Sequence, residues 1–256
     1  MTKSWALVTG ATAGIGESFT RLLAANNYNI VLVARDLPRL QERASALVST
    51  YGVETFIIQA DLSTDGGCSL VEKYISENEI DVLINNAGFG INKAFTVSML
   101  EAEQNLLDVL VRTPMRLMHT VLPGMKARDR GVIINVSSVA GFIAGGTYSA
   151  SKSYLTVLSE SLHTELAGSK VKVCALCPGF TRTEFHQRGR MSMKGLPTFM
   201  WLNADKLVAK AWSDSLKGNA ISVPGWQYQL LTFLMRFAPR PMVRKIGMNM
   251  RRKQRR

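Results

Sequence analysis

The sequence predicts one α/β domain: a doubly wound, seven-stranded parallel sheet with helices on both faces. Three observations lead there. Short runs of Val, Ile and Leu are continuous rather than alternating, as expected of strands covered on both faces. Longer segments with apolar residues at helical spacing lie between them, where crossover helices join parallel strands. The chain has 256 residues, 46% hydrophobic and 20% charged, enough to bury one large core. No repeat, low-complexity stretch or second domain interrupts residues 1–225.

The elements come in a regular order. "WALVTG" reads as a strand, "GESFTRLLAANN" as a helix, "NIVLVAR" as the second strand and "LPRLQERASALVSTYG" as the second helix. "TFIIQAD" and "GGCSLVEKYISENE" repeat the pair, and "DVLINNAG" is the fourth strand. One long helix is expected through "EAEQNLLDVLVRTPMRLMHTVLPGM", then the strand "GVIINVSS", the helix "YSASKSYLTVLSESLHTELAG" and the strand "VKVCALCPG". An irregular stretch to 204, a helix over 204–217 and the strand "AISVPG" complete the sheet.

The first strand begins almost at once, leaving no room for a signal peptide, and no apolar run approaches the roughly 20 residues that span a bilayer. A cytoplasmic protein is expected. Cys174 and Cys177 form a CxxC inside an expected buried strand, where residues three apart face opposite ways. No second cysteine pair or histidine cluster completes a zinc site, so no metal is assigned. The net charge is +12, yet residues 236–256 hold nine basic residues and no acid, and without them 22 basic face 19 acidic. The basicity belongs to a tail rather than to the globule. Nucleic acid is not an expected partner, because "RRKQRR" comes with no reading element.

"TGATAGIG" places Gly10, Gly14 and Gly16 where the first strand turns into the first helix. Such a turn lets a pyrophosphate approach the backbone and rest on a helix N-terminus. Dinucleotide binding is therefore expected. At the end of the second strand stands Ala34, then Arg35, instead of the acid that accepts from the ribose 2′-hydroxyl of NAD. A guanidinium there suits a 2′-phosphate, which points to NADP (NADPH), with Asp36 next door as a complication.

"TGxxxGxG" over 9–16, Asp61–Leu62, "NNAG" over 85–88, "SS" over 137–138, YxxxK over 148–152 and "PG" over 178–179 occur in this order. Together they resemble the short-chain dehydrogenase/reductase family, whose fold is a Rossmann-type domain. The resemblance covers residues 5–185 and implies a cofactor site of Gly10, Thr12, Gly14, Ile15, Gly16, Arg35, Asp61, Leu62, Asn86, Ala87, Gly88, Tyr148, Lys152, Pro178, Gly179, Thr181 and Thr183. In this family Asp61 and Leu62 would contact the adenine, while Pro178, Gly179 and Thr183 would hold the carboxamide.

Tyr148 would then be the general acid/base for a ketone or secondary alcohol, with Ser138 hydrogen-bonded to the substrate oxygen. An unperturbed phenol holds its proton to about pH 10. Lys152, one turn along the same helix face, would favour the phenolate and contact the ribose. Two departures from the family pattern stand out. Leu110 occupies the position of an asparagine that anchors a relay water, and Ser138 to Tyr148 spans only ten positions, which shortens the loop at the substrate mouth.

The variable lid falls at 184–204, where Phe185, Met191, Met193, Leu196, Phe199, Met200 and Trp201 make it apolar. An apolar or 3-oxoacyl-like carbonyl substrate is expected. Over 226–256, "WQYQLLTFLMRF" has helical spacing, and Pro239 and Pro241 are expected to break the helix beyond it. The apolar part of this extension is expected to dock on the protein or a second subunit, leaving a solvated basic end. The alternative is peripheral contact with an anionic membrane. By resemblance, a homo-dimer or tetramer is expected through the helices at 101–119 and 148–167. The competing function is an NADP-binding scaffold or sensor of little turnover, with Leu110 as its signature.

Overall fold

The computed structural model describes residues 3–185, 189 and 196–254, with side chains to Asn249. His186, Met191 and Met193 lie outside the described residues. Seven strands form one parallel sheet: β1 (Trp5–Thr9), β2 (Asn29–Ala34), β3 (Thr55–Gln59), β4 (Val82–Asn85), β5 (Gly131–Val136), β6 (Val171–Leu176) and β7 (Ile221–Ser222). Their order across the sheet is β3-β2-β1-β4-β5-β6-β7. The order reverses between β1 and β4, and doubly wound sheets bind ligands above the carboxyl edge at such a point.

The continuous apolar strands serve two cores. On β1, Leu7 packs to one side with Val31, Leu83, Ile133 and Val173, while Ala6 and Val8 pack to the other with Ile30, Leu32 and Ile134. The first side is closed by α3 (Asp65–Glu77), α5 (Thr113–Ala127) and α6 (Thr147–Glu165), the second by α1 (Gly14–Ala25), α2 (Leu37–Tyr51) and α7 (Ala204–Leu216).

Helix starts are written locally. Asp36 accepts from Arg39 N (3.1 Å) to cap α2, Thr64 from Gly67 N (3.0 Å) to cap α3, and Asn203 from Lys206 N (3.0 Å) to cap α7. No side chain caps α1, which leaves its first N–H groups for a ligand.

Two expectations need correction. The single long helix over 101–125 is α4 (Leu100–Leu107), a π-turn (Asp108–Arg112) and α5. The prolines of the tail end α8 (Trp226–Phe237), but a further helix, α9 (Arg240–Gln254), starts directly after them. Pro241 falls in its first turn, where a missing N–H costs nothing. Among the described residues, no helix is long and apolar enough to cross a membrane.

Candidate active site

The glycine turn is built for close approach. Gly10 has φ 65° and Gly14 φ 59°, a region that side-chain-bearing residues rarely enter. A Cβ on Gly10 would lie 2.8 Å from Asn86 Nδ2, and one on Gly16 would overlap the Gly10 carbonyl. Asn86 pins the turn by donating to the carbonyls of Thr9 (2.8 Å) and Gly10 (3.2 Å). Thr9 Oγ1 accepts from the N–H groups of Asn86 (2.9 Å) and Ala87 (3.0 Å), so β1 and β4 end in one rigid platform. The Thr183 side chain reaches over Gly14, 3.0 Å from where its Cβ would be. The bare turn and the uncapped α1 fit a pyrophosphate.

At the end of β2 the side chains of the adjacent Arg35 and Asp36 diverge. Asp36 serves as the α2 cap, whereas the Arg35 side chain is 75% exposed and only 3.8 Å from Asp61. Burial alone would raise the Asp61 carboxyl, but hydrogen bonds from Ser63 N and Oγ, with the Arg35 charge, hold it below the usual range. Leu62 is buried in the core and its carbonyl accepts from Thr113 Oγ1 (2.8 Å), so this position offers no side chain to an adenine.

Tyr148 and Lys152 stand on the first turns of α6, beside the end of β5. Lys152 is buried, 4% exposed, and its Nζ donates to Val136 O (2.6 Å). Burial pushes its pKa down to about 8. The ammonium lies 5.8 Å from the centre of the Tyr148 ring, and 3.9 Å from where a Gly88 Cβ would be. Gly88 thus adds no side chain to the gap between Leu110 and the charge. Ser138 Oγ accepts from Ala140 N (3.1 Å) and reaches Pro178 O at 3.4 Å, a long contact that a substrate oxygen can replace. The 3-10 turn Val139–Phe142 folds Gly141 against Lys152, returning the strand end to the helix that carries Tyr148.

Leu110 sits at the π-turn, 1% exposed, with Cδ2 2.9 Å from the Gly88 Cβ position. It fills that corner with methyl groups. Asp108, two residues before it, pairs with Arg112 (3.0 Å).

The remaining wall is the segment that follows β6. Thr181 Oγ1 donates to Gly179 O (3.0 Å), and Phe185 packs 6.0 Å from the Tyr148 ring. One residue went unforeseen in the sequence. Tyr228 on α8 is 1% exposed and lays its ring where a Gly179 Cβ would be. Its hydroxyl donates to Met200 O (2.6 Å) and accepts from Phe180 N (2.9 Å), tying the tail to the segment that follows β6. The short loop before Tyr148 is likewise backed by the tail: a Cβ on Gly247 would overlap the Ala144 carbonyl. Cys68, Cys174 and Cys177 are free and buried, and burial pushes the last two thiols up to about 12 and about 11. Among the described residues, no group of three or more His, Cys, Asp or Glu is placed to hold a metal.

A glycine turn running into an uncapped helix at the switch point of a doubly wound sheet marks the class of dinucleotide-binding proteins. The family model described as short chain dehydrogenase matches residues 4–193. Very-long-chain 3-oxoacyl-CoA reductase-A of Danio rerio is 30% identical over 259 residues, covering 98% of this chain and 79% of that protein. Inactive hydroxysteroid dehydrogenase-like protein 1 of Homo sapiens is 34% identical over 187 residues, covering 70% of this chain and 56% of that protein. A solved short-chain dehydrogenase from Sphingobium yanoikuyae in complex with NADPH superposes with TM-score 0.83 at 30% identity, covering 91% of this chain and 94% of that one. The chain belongs to the short-chain dehydrogenase/reductase family, whose members act between CH–OH and C=O groups.

Proposed function

We propose that the protein is an NADPH-dependent carbonyl reductase of apolar ketones or 3-oxoacyl thioesters. The observation that carries this reading is the buried Lys152 ammonium, 5.8 Å from the Tyr148 ring and next to the glycine turn. Bound NADPH supplies the hydride that adds to the carbonyl carbon. Ser138 donates to the carbonyl oxygen and holds it toward Tyr148. The Tyr148 hydroxyl gives that oxygen its proton, and Lys152 stabilises the phenolate left behind. In the oxidising direction Tyr148 takes the proton back.

Phe185 beside Tyr148, with Phe180 and Trp201 6.2 Å apart on the lid side, supports an apolar substrate, as does the name of the Danio rerio relative. The reading also takes the enzyme to be cytoplasmic and a homo-dimer or tetramer. Met115 on α5 and Tyr154 and Val157 on α6 are the exposed apolar residues that support such pairing.

The test is NADPH oxidation, monitored by absorbance, with a panel of bulky ketones and 3-oxoacyl thioesters. Turnover on several of them supports the reading. Tight NADPH binding with no turnover on any supports instead a nucleotide-binding protein of little activity, which Leu110 and the inactive Homo sapiens relative favour.

Cofactor choice gives a sharper prediction. NADPH should bind better than NADH, and Arg35→Ala should weaken NADPH by about 10- to 100-fold, the worth of a charge-assisted contact, while leaving NADH unchanged. Fluorescence titration of both nucleotides measures this. Equal losses for the two would remove Arg35 from 2′-phosphate recognition.

A further inference from the structure

We propose that α8 and α9 form a docking surface for an anionic lipid bilayer, independently of the reaction proposed above. Trp226, Leu230, Phe233, Leu234 and Phe237 recur at i, i+4, i+7, i+8 and i+11, one stripe of a helix. All five point outward, 51–74% exposed. The face that docks on the protein carries Tyr228, Thr232 and Met235, so α8 shows solvent a more apolar side than it shows the core. A packed surface helix does the reverse. Docking on the protein, expected from the sequence, therefore accounts for only the inner face.

Charge selects the occupant. Residues 236–256 contribute nine cations and no anion, and Arg236, Arg240, Arg244 and Lys245, which end α8 and open α9, are all exposed. A second copy would bring the same cations to the contact and repel it. Anionic headgroups supply the complementary charge, and the stripe supplies the apolar face that lies at the headgroup boundary.

The surface is firmly attached. Tyr228 braces Gly179, Phe180 and Met200 from the inner face of α8, and Gly247 of α9 seats on Ala144. A bilayer held there would lie beside the substrate mouth, a consequence that rests on the proposed reaction, whereas the docking does not.

The experiment is flotation of the full chain with phosphatidylcholine vesicles, with and without phosphatidylserine, beside light scattering of the free protein. Wild type should float with the phosphatidylserine vesicles, and high salt should release it. Arg244→Glu with Lys245→Glu should weaken binding by about tenfold or more. Trp226→Ser, Phe233→Ser and Phe237→Ser together should abolish it while the fold, checked by circular dichroism, persists. The proposal is overturned if wild type stays unbound, or if it floats equally with neutral vesicles. It is equally overturned if the triple variant still floats but loses an oligomer seen in wild type, which would make the stripe a contact between copies.

Discussion

Tyr148→Phe is expected to lower the rate of carbonyl-dependent NADPH oxidation by about 10²- to 10⁴-fold, the usual worth of a positioned proton donor. NADPH affinity and folding should be nearly unchanged. The substitution deletes one oxygen and keeps the ring that packs against Phe185 and faces the Lys152 ammonium. Leu110 fills the nearby corner with methyl groups, and the Ser138 hydroxyl is a weak acid that in the proposed mechanism holds the substrate oxygen. A loss confined to the catalytic rate, with KM little changed, would identify the hydroxyl as acting in the transition state rather than in binding. An unchanged rate would mean that the proton comes from water.

Gly16→Ala should be nearly as damaging, but through binding. Its Cβ would overlap the Gly10 carbonyl and the Asn86 amide, so either the turn opens or α1 moves away from β1. Overpacking of this kind costs about 1–3 kcal/mol, which lowers the melting temperature of a chain this long by several degrees. The same displacement pulls the uncapped N–H groups of α1 away from the position of the pyrophosphate, and NADPH affinity should collapse. Gly66→Ala is the control. Gly66 is exposed in α3 and nothing lies within 4 Å of its Cβ position, so stability should stay the same or rise slightly. Scanning calorimetry and nucleotide titration on the two variants separate the cases.

Sequence features written locally or along a buried strand were the legible ones. The seven strands were readable because both faces are covered, so their Val, Ile and Leu runs are unbroken. Tyr148, Lys152 and Ser138 were readable because one helical turn and one strand end hold them. The break at the π-turn was not, since Asp108–Arg112 keeps apolar residues at nearly helical spacing while shifting Leu110 into the corner beside Gly88. Nor was the role of Tyr228, whose partners Gly179 and Phe180 are distant in the chain and come together only through the fold. The prolines of the tail misled for a physical reason. Pro241 ends a helix when it lies inside one, but in the first turn of α9 it is compatible with a new start. Leu62 was assigned by resemblance, and its side chain lies in the core, so a contact with adenine there would have to be made by the backbone.

The central claim is that a buried ammonium holds Tyr148 ready as the proton donor, and a pH–rate profile tests it most directly. Burial lowers the Lys152 pKa from its ordinary value to about 8, so the side chain is charged below that pH and neutral above it. Rising pH removes the charge that stabilises the phenolate left when the proton is given up, so the proton becomes harder to release. The account predicts that kcat/KM for carbonyl reduction is level on the acid side of about pH 8 and falls on the alkaline side. A kcat/KM that stays level or climbs well beyond that pH would contradict it.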